Sequence, residues 1–119
     1  MNSTATDLRA KHCAPCEGGI PKLTPAEVQS HLPAVPQWKL TADGQRIRRE
    51  WRVKDFATAL DFFNRIGNIA EEEDHHPDLH LTGYRQVAIE IWTHAVGGLT
   101  ENDFILAAKI DTLPVTLKT

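Results

Sequence analysis

The chain has 119 residues, of which 41% are apolar and 24% are charged, a composition typical of one globular domain with a single core. It contains no transmembrane stretch, and residues 1–7 lack the apolar core of a secretory signal, so a cytoplasmic setting is expected. With a formal net charge of −3 the chain has no general attraction to nucleic acid or to anionic membranes, so we expect small molecules or other proteins as partners.

The first 22 residues are predicted to be an extension that precedes the working domain, residues 23–119. Both cysteines, Cys13 and Cys16, lie in this extension in a Cys-x-x-Cys arrangement. Such a pair can supply half of a tetrahedral zinc site or form a redox dithiol, but a structural zinc site takes four ligands and no second pair exists. The strand-then-helix context that lowers the pKa of a redox thiol is also missing. A metal shared with a partner chain is the alternative to a purely structural segment.

Clear signals for secondary structure begin at Thr24. This residue can cap a helix that starts with Pro25, and Glu27 completes the capping pattern; the helix should end near Pro33. A turn at Asp43-Gly44 then predicts a hairpin whose second strand has one strongly basic face. On that strand Ile47, Arg49, Trp51 and Val53 alternate with Arg46, Arg48, Glu50 and Arg52.

A second helix is predicted from Asp55, which can cap it, to a point before Pro77. Apolar residues recur in it at three- and four-residue steps and predict a single buried stripe. The stripe consists of Phe56, Ala59, Leu60, Phe63, Ile66, Gly67 and Ala70.

Two further strands and a final helix complete the prediction. The third strand covers residues 79–84 with a bend at Gly83, and alternation over residues 87–94 predicts a fourth strand that ends at His94. Thr100 opens the last helix with another capping pattern. The order α-β-β-α-β-β-α predicts an α+β fold, a four-stranded antiparallel sheet with helices packed on one face.

Three histidines are the most informative feature for function. His75 and His76 follow the acidic residues 71–74, and His94 lies at the end of the fourth strand. Because antiparallel neighbours bring the beginning of one strand beside the end of the other, the three could meet, and Asp103 can reach the same edge. Histidine titrates between pH 5 and 8, so such a group could transfer protons at neutral pH without metal or cofactor.

Each of these residues also has a purely structural interpretation. The histidine pair could end a helix in solvent, His94 could be an ordinary strand-end residue, and Asp103 stands where a carboxylate stabilises a helix start. His12, His31 and His80 have no partner pattern and are expected at the surface. A metal site is disfavoured, because adjacent histidines on an extended segment point to opposite sides and the His-x-x-x-His spacing is absent.

The candidate residues follow one another at a defined spacing. The series is Glu71, three residues, His75-His76-Pro77, six residues, Tyr84, nine residues, His94, eight residues and Asp103. Together with Thr93 and the segment from Gly98 to Phe104, this series resembles the signature of the pterin-4a-carbinolamine dehydratases, over about residues 23–113. One more residue separates His75 from His94 than in animal members, which predicts a small difference around Gly83.

The resemblance implies a hydro-lyase that dehydrates 4a-hydroxytetrahydrobiopterin to quinonoid dihydrobiopterin and water, in tetrahydrobiopterin recycling, with no cofactor. It assigns acid–base catalysis to His75 and His94 and substrate binding mainly to His76. By the same analogy, Pro77 and the main chain around Thr93 line the pterin pocket.

The resemblance also assigns Glu71 and Asp103 to supporting positions that orient the histidines or close the site, and it implies a homodimer or homotetramer. Animal members bind a homeodomain transcription factor as dimerisation cofactors, and nothing in this sequence supports that partner. The alternative hypothesis is a non-catalytic interaction or regulatory module on the dehydratase scaffold, which pterin binding would distinguish from the enzyme.

Overall fold

A computed structural model describes residues 4–14 and 20–119, which form a four-stranded sheet with helices packed against one face. The strands are β1 (Lys39–Leu40), β2 (Ile47–Arg52), β3 (Asp78–Thr82) and β4 (Gln86–Ile91). The helices are α1 (Ala5–Arg9), α2 (Pro25–His31), α3 (Phe56–Glu73) and α4 (Glu101–Ile110), with 3₁₀ turns at Leu32–Ala34 and His94–Val96. All neighbouring strands are antiparallel in the order β1-β2-β4-β3, which confirms the predicted fold class.

The three longer helices begin where their capping residues predict. The Thr24 hydroxyl accepts a hydrogen bond from the Glu27 amide at 3.2 Å, while the Glu27 carboxylate accepts one from the Thr24 amide at 2.9 Å. The Asp55 carboxylate accepts from the Thr58 amide at 2.8 Å at the start of α3. These contacts satisfy amide groups that the first helical turn leaves without a partner in the helix.

Alternation along the central strands separates a buried face from a polar face. Ile47 and Trp51 of β2 are buried, and so are Val87, Ile89 and Ile91 of β4. The Trp51 ring meets the ring of Phe62 edge-on, with centroids 5.1 Å apart, which joins the sheet to α3. The core therefore lies between the sheet and the α3–α4 layer.

The buried stripe of α3 differs from the prediction. Ala59, Ile66 and Ala70 are buried as expected, but the central aromatic residue of the stripe is Phe62, which is 1% exposed. Phe56 and Leu60 were predicted to be buried and are instead 50% and 44% exposed, and Phe63 and Gly67 are half-buried. The helix is rotated relative to the prediction, because the Phe62 ring packs edge-on against Trp51 in the core.

The ends of β3 and β4 also differ from the prediction. Gly83 and Tyr84 have positive φ angles of 54° and 55° and form a turn, so the strand ends at Thr82. β4 ends at Ile91, after which Thr93 forms an isolated bridge with Gly98. His94 consequently begins a 3₁₀ turn after the strand instead of closing it.

The N-terminal residues 4–14 pack against α4, with Leu8 fully buried in the core. The Asn102 side chain bonds both backbone polar groups of Ala14. It accepts a hydrogen bond from the Ala14 amide at 2.9 Å and donates one to the Ala14 carbonyl at 2.7 Å. The short helix α1 is an element that the sequence did not predict. The boundary at residue 22 between the N-terminal extension and the working domain stays a prediction. Cys16 lies outside the described residues.

Replacement of Asn102 should weaken the contact between the N-terminal segment and α4. We expect Asn102→Ala to lower the free energy of unfolding by about 1–3 kcal/mol, because it removes two hydrogen bonds from a side chain that is 1% exposed. Lys11→Ala cuts another contact between the same two segments, the exposed Lys11–Glu101 ion pair, and should cost less than about 1 kcal/mol. Urea denaturation of both variants measures the difference, and equal losses would contradict the prediction.

Candidate active site

The buried centre of the candidate site is a hydrogen bond between His75 and Asp103. His75 Nε2 lies 2.6 Å from Asp103 Oδ1, and the two side chains are 5% and 0% exposed. The position of His75 follows from the end of α3, where Asp74 adopts a left-handed conformation and the His75 amide donates to the Ala70 carbonyl at 3.1 Å. This helix end turns the chain so that the imidazole points toward the first turn of α4.

The second oxygen of Asp103 joins the end of β4 to the start of α4. Asp103 Oδ2 accepts from the Thr93 hydroxyl at 2.9 Å and from the Thr100 amide at 2.8 Å. The Thr93 and Thr100 hydroxyls lie 2.9 Å from each other. Asp103 thus combines the helix-capping contact expected from the sequence with a contact to His75, and it fixes the residue that precedes His94.

His76 occupies a more exposed position beside the same helix end. Its Nε2 lies 2.6 Å from Glu71 Oε2, and the two side chains are 57% and 77% exposed. Pro77 follows and is half-buried at the entry to β3. Glu71 therefore orients the imidazole of His76 at the surface, whereas Asp103 orients that of His75 in the interior.

His94 is exposed, and its ring packs against Trp92 with centroids 4.0 Å apart. The guanidinium of Arg46 lies over the Trp92 ring at 4.7 Å. The predicted alternation over residues 87–94 puts Trp92 and His94 on the same face of the fourth strand, but the predicted site does not include Trp92. The two-residue spacing on a strand end was the signal that could have identified this contact.

Strand pairing brings the predicted site residues to one end of the sheet. Asp78, the first residue of β3, pairs with Glu90 near the end of β4, so the histidine pair before β3 and His94 after β4 lie at the same sheet end. The predicted surface position is wrong for His31, which is half-buried and stacks on Phe104 with centroids 5.0 Å apart. The catalytic and binding assignments of the site residues stay predictions.

A second polar cluster surrounds Glu73, next to the site. Its carboxylate is 3% exposed and accepts from Lys109 Nζ at 2.7 Å and from the Cys13 amide at 2.8 Å, and His12 Nδ1 lies at 3.2 Å. Burial alone would raise the pKa of Glu73, but these hydrogen bonds outweigh it and lower the pKa to about 2.

The same cluster keeps the Cys13 thiol protonated. Burial, followed by the negative charge of Glu73, raises the pKa of Cys13 to about 12. Because metal ligation and redox exchange both use the thiolate, this environment disfavours either chemistry at Cys13. Among residues 4–14 and 20–119, no three histidine, cysteine or acidic side chains are grouped so that they could hold a metal ion.

The histidine–carboxylate pairs place side chains that are capable of proton transfer at one end of an α+β sheet. The family model for pterin 4 alpha carbinolamine dehydratase matches residues 21–113. The chain therefore belongs to the pterin-4α-carbinolamine dehydratase family, a family of hydro-lyases that act on pterins, as the sequence predicted.

Similar proteins support this membership. The chain is 54% identical over 112 residues to pterin-4-alpha-carbinolamine dehydratase 2, mitochondrial, of Arabidopsis thaliana, covering 92% of this chain and 60% of that protein. It is 45% identical to a putative pterin-4-alpha-carbinolamine dehydratase of Methylococcus capsulatus, covering 92% and 95% of the two chains. A crystal structure named transcriptional coactivator/pterin dehydratase from Brucella melitensis superposes with a TM-score of 0.72 at 33% identity, over 77% of this chain and 97% of that one.

In the described part of the chain, no helix combines the length and the apolar character needed to cross a bilayer. The Arabidopsis relative is named mitochondrial, so the expected cytoplasmic setting of this chain stays a prediction.

Replacement of Lys109 should lower the free energy of unfolding at neutral pH. It should also weaken the dependence of that free energy on pH in the acid range. A carboxyl whose pKa is depressed on folding stabilises the protein above its ordinary pKa of 4.5, and this contribution is lost as the pH falls toward 2. We expect Lys109→Met to lower the free energy of unfolding by about 1–3 kcal/mol at pH 7, because Glu73 keeps the Cys13 amide as a partner. The loss should shrink between pH 5 and pH 2.

Urea denaturation at a series of pH values measures this effect. The matched control is Lys39→Met, which removes an exposed lysine of β1 far from Glu73 in sequence and should change the stability by less than about 0.5 kcal/mol. A Lys109→Met loss that is the same at pH 7 and pH 2.5 would contradict the assignment of the pKa shift to this contact.

Proposed function

We propose that the chain dehydrates 4a-hydroxytetrahydrobiopterin to quinonoid dihydrobiopterin and water, in tetrahydrobiopterin recycling. The single observation that supports this most directly is the buried His75–Asp103 pair, in which Asp103 also accepts a hydrogen bond from Thr93, the residue before His94. Two imidazoles on opposite sides of a small substrate provide the acid and the base that an elimination of water needs.

The proposed reaction breaks one carbon–oxygen bond. A lone pair on the ring nitrogen beside C4a forms a C=N bond while the C4a–O bond breaks. One histidine gives a proton to the departing hydroxyl group, which leaves as water, and another takes a proton from a ring nitrogen, so protons and charge balance. Such positioned acid–base catalysis typically contributes about 10²–10⁴-fold to the rate.

His75 and His94 are proposed to transfer the protons, and His76 to bind the pterin. The geometry supports unequal roles, because His75 is held by a fully buried carboxylate while His76 pairs with an exposed one. A carboxylate that accepts from one imidazole nitrogen fixes the tautomer and leaves the ring oriented for chemistry. Pro77 and the main chain around Thr93 are proposed to line the pterin pocket.

The chain is also proposed to assemble as a homodimer or homotetramer. The exposed Phe56 and Leu60 side chains support this, because they place large apolar groups on the outer side of α3. The same surface is compatible with the alternative hypothesis of an interaction module, which pterin binding and turnover distinguish from the enzyme.

Replacement of single histidines should affect kcat and KM differently, depending on the role of each histidine. We expect His75→Ala and His94→Ala each to lower kcat by about 10²–10⁴-fold, because each removes a proton-transferring group. His76→Ala should mainly raise KM, since it removes a substrate contact. Steady-state dehydration of a synthetic 4a-hydroxytetrahydropterin measures all three.

The matched control is His80→Ala, which removes an exposed histidine of β3 that has no part in the candidate site. It should keep wild-type activity. Wild-type turnover by His75→Ala and His94→Ala would contradict the proposed mechanism, and an inactive wild-type protein would contradict the proposed function.

Pterin binding distinguishes an enzyme from an interaction module. A reduced pterin at about 100 times its Kd should add roughly 2.7 kcal/mol to the stability of the folded state and so raise Tm. An unchanged Tm at saturating pterin concentrations, together with absent turnover, would favour the interaction module.

Self-association should depend on the outer side of α3. We expect Leu60→Glu to shift the wild-type oligomer toward a single chain, because a buried unpaired carboxylate is costly in an apolar interface. Gln29→Glu, at an exposed position of α2 and outside α3, is the control and should leave the assembly unchanged. Sedimentation velocity measures both variants, and a wild-type protein that sediments as a single chain would contradict the proposed assembly.

A further inference from the structure

We propose that Trp92 is a positioning residue for His94, holding the imidazole by ring stacking where His75 and His76 are held by carboxylates. This inference rests on the proposed function, in which His94 transfers a proton. It adds a residue that the resemblance did not include and that the sequence analysis left without a role.

His94 has a different environment from the other two histidines. In the described part of the chain, its imidazole makes no hydrogen bond, whereas His75 and His76 each contact a carboxylate at 2.6 Å. Its ring contact is with Trp92, at 4.0 Å between centroids and 36° between the planes. An exposed side chain with two rotatable bonds needs such a contact to keep one orientation.

Trp92 can serve as a rigid support because its ring also packs against an anchored cation. The Arg46 guanidinium lies 4.7 Å from the ring centroid, and it is itself held by Glu90 at 3.0 Å and by Asp78 at 3.6 Å. These two carboxylates belong to β4 and β3, the paired strands that lead to the site. The indole therefore contacts both a cation anchored on the sheet and the imidazole of His94.

The hydrogen bonding of Trp92 Nε1 indicates that this side chain contributes to the site through its ring face and not through its N–H group. Trp92 Nε1 is buried and has no hydrogen-bond partner among residues 4–14 and 20–119. A buried donor without a partner is unfavourable, so the N–H group itself does not explain a tryptophan at this position. Phenylalanine would keep an aromatic face toward His94 and remove the unpaired donor.

Loss of the stack should affect the chemical step more than substrate binding. We expect Trp92→Ala to lower kcat by about 10- to 100-fold, because misplacement of a catalytic group by about 1 Å can cost 10²-fold. KM should change by less than about threefold, since His75 and His76 keep their own carboxylate partners. Trp92→Phe should retain kcat within about threefold of the wild type.

Two arginines of β2 and its preceding turn provide a matched pair of controls. Arg46 and Arg48 both pair with Glu90, at 3.0 and 2.6 Å, but Arg46 also covers Trp92. Arg46→Gln should therefore lower kcat by a few-fold, while Arg48→Gln should leave it at the wild-type value. A merely structural role of the charge network would make the two variants equivalent.

A spectroscopic measurement tests the stack without any turnover. The ring protons of His94, assigned by their loss in His94→Ala, should show an upfield ring-current shift in the NMR spectrum of the wild type. This shift should persist in Trp92→Phe and disappear in Trp92→Ala. Because Trp92 is half-buried, the Phe and Arg46 variants keep the test informative if the alanine variant does not fold.

The outcomes separate this inference from the proposed function. Wild-type kcat in folded Trp92→Ala, or an unshifted His94 spectrum in the wild-type protein, would overturn the positioning role while leaving the dehydratase proposal intact. A wild-type protein that shows the shifted His94 resonances but no turnover would instead overturn the proposed function.

Discussion

The burial of the Asp103 carboxylate is the constraint on which the arrangement of the site depends. A charged group that is 0% exposed is tolerated only where hydrogen bonds replace its hydration, and Asp103 receives them from three places in the chain. His75 follows α3, Thr93 follows β4, and the Thr100 amide begins α4. The hydrogen bonds of one carboxylate therefore position three elements together, at the end of the sheet where the three histidines lie.

The predictable parts of the site were those that local chemistry determines. Two capping threonines and one capping aspartate predicted the starts of three helices, and period-two alternation predicted the paired strands, because both signals act over a few residues. Asp103 was predicted as a helix-capping carboxylate and as a residue within reach of the site, and its two oxygens allow it to be both. The motif spacing predicted the family but not the contacts of each residue.

The unpredicted parts depend on contacts between distant segments. Phe62 and Phe63 are adjacent, so periodicity alone cannot decide which one faces the core, and contact with Trp51 decides it. The N-terminal segment contains too few apolar residues to predict a packed element, yet Asn102 and Glu73 hold it against the helices. In both cases a side chain from elsewhere in the sequence provides the information that local pattern lacks.

The three histidines are held by three kinds of contact, and the differences have a physical reason. A buried imidazole needs a carboxylate because its N–H group has lost water, whereas an exposed one remains hydrated and gains less from the same partner. His94 is exposed, so a hydrogen bond would contribute little there, and dispersion contact with a supported aromatic ring restricts its motion without removing either nitrogen from reaction. A proton-transferring imidazole at the mouth of a site requires this combination of a fixed ring and free nitrogens.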